Sequence, residues 1–228
     1  MKVAIHQPQY LPWLGYFDKM DQSDVFVLLD DVQYKKNEWQ NRNKVRNTKN
    51  WHWLTVPVLF KFKQKVNEVK INNKQNWREK HLKSIKLNYS RAPYFEKYIS
   101  FFRESYLKEW EYLVDLNLHF IHYLKDALEI KAELVRSSAL NVKGKKTERL
   151  IGICRHLGAD TYLSGPGAKD YLDEEQFKKS GITLKFQNDT HPEYLQAYDG
   201  FEHYMSVIDL LFCHGRDSLN IIKEGRKR

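Results

Sequence analysis

The stretch Val3-Ala4-Ile5-His6-Gln7-Pro8-Gln9-Tyr10-Leu11-Pro12-Trp13-Leu14-Gly15 decides the fold. Residues 3–5 form a short apolar run that reads as a buried strand. Pro8 and Pro12 each bias the preceding residue toward extended backbone, so a shaped loop follows the strand and not a helix. That loop carries an imidazole, an amide, a phenol and an indole around two prolines and a glycine. Polar groups on a rigid loop at the end of a buried strand mark the place where open α/β sheets hold ligands. Tyr10 and Trp13 also read as plugs for the end of a sheet. A folding role does not call for His6 followed by Gln7 at a strand terminus.

Working outward, a helix over about 14–20 leads to a second continuous apolar run at 25–29, which ends in Asp30-Asp31. Two buried strands joined by a helical crossover pair in parallel through a right-handed connection. Residues 37–50 are polar and read as irregular, followed by strands over 51–58 and 66–71. Helices are expected over 77–87, 94–107 and 110–128 from apolar residues at three- and four-residue spacing. The α/β rhythm then returns. A strand at 134–135 precedes a helix over 147–157 closed by Gly158. A strand at 161–163 breaks into Ser164-Gly165-Pro166-Gly167-Ala168-Lys169, and a strand over 182–186 and a helix over 204–212 complete the series. The expected fold is α/β, with an open, largely parallel, Rossmann-like sheet and a nucleotidyltransferase-like variant as the alternative. Residues 1–75 and 130–228 form the sheet domain, and 76–129 a helical insertion.

The 228 residues are 42% hydrophobic and 14% aromatic, enough for a sizeable core and unlike a disordered chain. The two cysteines, Cys154 and Cys213, sit in no metal or redox spacing, which argues against a disulfide framework. No run reaches the roughly 18 apolar residues of a membrane span, and no leader precedes the first strand, so a cytoplasmic protein is expected. The net charge of +9 suits an anionic partner: a nucleotide, a sugar phosphate, a carrier phosphopantetheine, an acidic lipid surface or nucleic acid. Lysines at 61, 63, 65, 70 and 74, at 143, 145 and 146, and the tail 226–228 also read as solvated helix and loop surface. No zinc-finger or RNA-binding signature accompanies them.

Four segments combine functional side chains with strand ends: 6–15, 30–46, 164–169 and 188–196. In a parallel sheet the first three meet at one edge. Adjacent carboxylates at a buried strand end need a cation, so Asp30 and Asp31 pair with Arg42 or Arg46, act as general base, or hold Mg²⁺. A cap is the structural alternative. Gln33 follows on the same segment, and Asn41, Arg42 and Asn43 offer donors for phosphate or sugar hydroxyls. Gly165 and Gly167 let backbone N–H groups approach a phosphate, with Lys169 adding charge, although the spacing matches neither a Walker A nor a dinucleotide motif. A tight turn is the alternative there. His191 is a candidate acid–base group or a turn residue. His119 and His122 lack a third metal ligand. With no nucleophile elbow and no Cys–His signature, direct transfer with acid–base help is favoured, Ser164 keeping a covalent route open.

Residues 6–17, Ser23-Asp24-Val25-Phe26-Val27 and Leu29-Asp30-Asp31-Val32-Gln33 resemble the WbqC-like family. So do Asn41-Arg42-Asn43-Lys44, Trp53-Leu54-Thr55-Val56-Pro57-Val58, Leu157 to Gly165 and Asp209-Leu210-Leu211-Phe212. The resemblance spans nearly the whole chain and implies a place in bacterial O-antigen and other surface-polysaccharide synthesis. The opening also resembles nucleotidyltransferases with an H-I-G-H motif, but only His6 is present where that motif has two histidines. The expected function is transfer of a small acyl or aminoacyl group onto a nucleotide-linked aminosugar. His6, Asp30 and Asp31 are its acid–base groups. Gln7, Tyr10, Trp13, Gln33, Asn41, Arg42, Asn43, Ser164, Gly165, Gly167 and His191 are its substrate contacts. Mg²⁺ or an acyl or aminoacyl donor is the candidate cofactor, and a nucleotide sugar, another phosphorylated small molecule or an acyl carrier the candidate partner. A nucleotidyltransferase or ligase, and a basic nucleic-acid-binding or scaffold protein, are the alternatives.

Overall fold

A computed structural model describes residues 1–170, 172–188 and 190–227. The chain runs β1 (Lys2–His6), α1 (Leu14–Asp21), β2 (Val25–Leu28), β3 (Arg42–Arg46), β4 (Trp51–Thr55), β5 (Val58–Leu59), β6 (Lys70–Ile71) and α2 (Trp77–Tyr89). It continues through α3 (Phe95–Leu107), α4 (Leu113–Ala127), β7 (Glu133–Arg136), α5 (Ser137–Leu140), α6 (Lys146–His156) and β8 (Thr161–Ser164). The last elements are α7 (Glu174–Ser180), β9 (Thr183–Phe186), α8 (Val207–His214) and α9 (Ser218–Glu224).

Five strands form one parallel sheet in the order β7-β2-β1-β8-β9, with Val3 opposite Val25 on one side and Tyr162 on the other. The open parallel α/β fold is therefore as expected. Strand alternation splits the core into two layers. Ala4, Phe26, Leu28 and Leu163 face an apolar cluster that includes Phe17 of α1, Phe102 of α3, Phe120 of α4 and Phe212 of α8. Val3, Ile5, Val27 and Tyr162 face the other cluster, with Ile153 and Cys154 of α6 and Phe177 of α7. Right-handed crossovers produce this division, because the chain moves from β1 toward β7 with helices on one face and returns past β1 to β9 with helices on the other.

Four local expectations are corrected. The polar stretch 37–50 contains β3, paired antiparallel with β4 so that Lys44 lies opposite Trp53. Arg42 stacks 4.2 Å above the Trp53 ring and Lys44 4.1 Å above that of Trp51. The partner strand's indoles thus supply the cation–π support that a run of Asn, Arg and Lys lacks alone. The strand expected over 51–58 breaks between β4 and β5 at Pro57, which has no N–H for a ladder. The strand expected over 66–71 is a 3₁₀ turn at Val66–Glu68 followed by β6, since Asn67 and Glu68 are poor strand formers. The helix expected from 204 begins at Val207: Tyr204 holds φ +61°, and the Ser206 hydroxyl caps the first turn.

Candidate functional site: a cleft at the sheet's switch point

Strand order reverses at β1, so the chain leaves the carboxyl ends of β1 and β8 in opposite directions and opens a crevice between them. A cleft of about 550 Å³ lies there. His6 closes β1 on one wall, and Ser164, Gly165 and Gly167 follow β8 on the other. Trp13 and Trp39 complete the lining from two loops.

The chemistry is concentrated on α1. This crossover helix is enclosed, with Leu14, Tyr16, Phe17, Asp18, Lys19 and Met20 all buried. Tyr16 and Lys19 are three residues apart, share one face and line the cleft. Lys19 is 4% exposed, and its Nζ donates to the Ile5 carbonyl at 3.3 Å. Among the described residues no carboxylate stands within ion-pair distance of it. The adjacent Asp18 is bound instead by Arg226, Gln22 and Gln187. Burial alone pushes the Lys19 ammonium down to about 7. Burial, and then the Lys19 charge, hold His6 well below the usual histidine value, so its imidazole is neutral at neutral pH. Its ring lies 5.0 Å from that of Tyr16.

Three buried polar atoms on the cleft's lining residues have no partner among the described residues: His6 Nδ1, Tyr16 Oη and Gln9 Oε1. Native structures leave few such atoms unpaired, and their gathering at one cleft marks a binding surface. The glycines add room. A Cβ on Gly165 would meet only Lys19 Nζ, at 4.0 Å, and one on Gly167 nothing within 4 Å.

The structure brings His6, Trp13, Ser164, Gly165 and Gly167 together and places the other expected site residues elsewhere. Asp30 is fully buried beside β7, its carboxylate taking hydrogen bonds from Arg136 Nε, both the Ser138 amide and hydroxyl, and the Ser137 hydroxyl. Asp31 binds Ser137 and Arg149; these contacts outweigh burial and keep its carboxyl below the usual range. The cations come from Arg136 and Arg149, not from Arg42 or Arg46. With two guanidinium groups engaged, the pair does not fit a divalent cation.

Asn41 and Asn43 are buried and give their amides to backbone, Asn41 to Val56 O and Asn43 to the carbonyls of Tyr10 and Leu11. Arg42 stacks on Trp53. Tyr10 is buried between His81 and Tyr106, to both of which its hydroxyl is hydrogen-bonded. Gln7 accepts from Gln40, and Gln33 is exposed and bridges to Lys65. His191 stacks behind Trp13 at 6.4 Å, donating from Nδ1 to Pro192 O and accepting the Tyr204 amide at Nε2. Its neighbour Asp189 lies outside the described residues. His119 hydrogen-bonds the Ser105 hydroxyl.

Lys19, Tyr16, Gln9 and Trp39 were not singled out from the sequence. The available signal was Asp18-Lys19 inside a short crossover helix between two buried strands, a helix with little solvated face to hold adjacent charges.

Fold and cleft together define a class: a doubly wound parallel α/β protein with a pocket at its topological switch point. Within that class the chain belongs to the WbqC-like protein family, whose model matches residues 7–221. It is 35% identical over 230 residues to "Uncharacterized protein Rv1507c" of Mycobacterium tuberculosis (strain ATCC 25618 / H37Rv), a match covering 99% of each chain. No solved structure matches it.

Proposed function

We propose that this chain is a group-transfer enzyme that holds a phosphorylated small molecule, a nucleotide-linked aminosugar, in the β1–β8 cleft and acylates or aminoacylates its amine. The observation carrying this reading is Lys19: a buried amine beside Gly165, without a counter-ion among the described residues, in a cleft with three further polar atoms that these residues leave unsatisfied. A buried cation of this kind is matched by an anionic ligand. In the proposed reaction the sugar amine attacks the acyl carbonyl and forms the new C–N bond. The proton the amine sheds passes to the departing group as that group's bond to the acyl carbon breaks, while Lys19, charged once the phosphate is bound, holds the phosphate in place. His6, uncharged, orients the substrate through its ring nitrogens. The setting in surface-polysaccharide synthesis rests on the family resemblance.

The test is a ligand screen by thermal unfolding and calorimetry with nucleotides, nucleotide sugars and pyrophosphate. A nucleotide sugar at about 100 times its dissociation constant is expected to stabilise the protein by about 2.7 kcal/mol. Lys19→Met, and Gly165→Leu, which fills the cleft, abolish that gain. A wild-type protein unmoved by every phosphorylated ligand, or a Lys19→Met variant that binds as well, overturns the reading.

A further inference from the structure

The turn after β5 reads Leu59-Phe60-Lys61-Phe62-Lys63-Gln64-Lys65. Its apolar side chains face solvent: Leu59 is 56% exposed, Phe60 36% and Phe62 81%. Lys61, Lys63 and Lys65 alternate with them, and Lys36 lies 5.7 Å over the Phe60 ring. None of these four lysines makes an ion pair among the described residues. Lys63 holds φ +67°, a left-handed conformation uncommon for a non-glycine residue, at the centre of the turn. Phe60 leans edge-on against the buried Tyr34 ring, 5.4 Å between centroids, and leaves Phe62 projecting beyond it; exposed phenylalanines ringed by uncompensated cations mark an interaction surface.

We propose that this turn docks the protein peripherally on an anionic lipid bilayer, with Phe60 and Phe62 in the headgroup–acyl boundary and the lysines among the headgroups. The side chains select this occupant. Phe62 is 81% exposed, with the Lys63 Nζ 5.6 Å from its ring centroid, whereas a preformed protein pocket would have to fix its rotamer at an entropic cost. A fluid interface accepts aromatic rings without one. The cations are all lysines, whose flexible stems give undirected attraction to a charged surface and lack the planar fork of arginine that reads individual carboxylates. No helix among the described residues is long and apolar enough to cross a membrane, so the contact is superficial.

Position gives the contact a consequence. The base of the turn is tied to the chain leaving β2 by Tyr34 N to Gln64 O, Val66 N to Val32 O and Asn67 N to Asp30 O, each at 2.9 Å. The turn therefore stands at the carboxyl edge of the sheet, where the β1–β8 cleft opens. Docking places that cleft near the bilayer surface.

Flotation with phosphatidylglycerol-containing and pure phosphatidylcholine vesicles tests the proposal, using the full chain. Binding is expected only with the anionic vesicles and is lost at about 0.5 M NaCl, where the Debye length is a few ångströms. Lys61→Glu/Lys63→Glu lowers the partition at least about tenfold, and Phe62→Ser does so at unchanged charge. Phe62→Trp supplies a second readout: its difference emission spectrum shifts to the blue on vesicle addition. Equal binding to both vesicle types, no spectral shift, or equally tight binding to soluble polyglutamate overturns the proposal, the last result in favour of an acidic protein partner.

Discussion

A lysine buried without a counter-ion destabilises the free protein, and that property separates a ligand-binding Lys19 from a structural one. Its pKa of about 7 in the folded chain lies below the ordinary lysine value of 10.5. Between those values the unfolded chain binds the proton and the folded chain does not, so stability rises with pH there. The penalty is complete below about pH 7 and fades toward the unfolded value. Replacing the group by an apolar one of similar length removes it. Lys19→Met is therefore expected to raise unfolding stability at pH 7 by about 1–4 kcal/mol in urea titrations while abolishing ligand binding. An anion that binds the charged form draws a proton with it, so its affinity falls by up to about tenfold per pH unit above 7. Calorimetry in buffers of differing ionisation enthalpy measures that uptake directly. A destabilised Lys19→Met variant shows instead that the amine braces the fold.

At the scale of elements, the loop after β1 keeps its shape because other parts of the chain hold it. Leu11 has φ +44° immediately before Pro12, where both the left-handed conformation and the α region are disfavoured. The amide of Asn43, on β3, spans that turn, donating to Tyr10 O at 3.3 Å and Leu11 O at 2.7 Å. Asn117 of α4 holds the neighbouring backbone at Gln40 O, 2.8 Å away. These asparagines are half of a frame, and the cleft loop is the other half. Asn43→Ala strands two buried carbonyls, so chemical unfolding is expected to show a loss of about 2 kcal/mol or more, together with weakened ligand binding. The sequence marked Asn41 to Asn43 as donors correctly by chemistry. It did not show that their acceptors are backbone, because that depends on a hairpin with β4 meeting a loop about thirty residues earlier.

At the scale of the molecule, buried neutral histidines set the acid limit. His81 lies between Trp77, Tyr10 and Tyr106, and burial pushes its pKa down to about 3, a backbone hydrogen bond involving Thr55 only partly opposing it. Its unfolded value is near 6.5, so as pH falls from there toward 3 the unfolded chain takes up a proton that the folded one refuses. Stability declines over that window. His81→Gln is expected to make the pH dependence of the unfolding free energy shallower by about 1.4 kcal/mol per pH unit between pH 6 and 4, measured against wild type. At the other end of the chain, Arg226 joins Asp18 and Asp21, so the C-terminal segment clasps α1, the helix that carries Lys19. A basic tail that reads as solvated in sequence thus has at least one side chain committed to α1.

The sequence by itself determined the parallel α/β sheet, its β1–α1–β2 opening, its family, and the His6 and Gly165 edges of the cleft. Each follows from local signals: apolar runs of strand length, prolines and glycines at their ends, and a motif in contiguous residues. Only the tertiary structure decided which polar groups share that cleft. Asp30 and Asp31 end a strand at the same edge, but the arginines and serines of β7, α5 and α6 bind them first, from more than a hundred residues away. The charged pair at Asp18-Lys19 does not by itself distinguish ligand binding from a fold contact; Lys19 stands out because the sheet, α1 and the Gly165 loop enclose its amine with no carboxylate of the described residues within ion-pair distance. Burial and the absence of a counter-charge depend on everything packed around a residue, and no stretch of sequence states them.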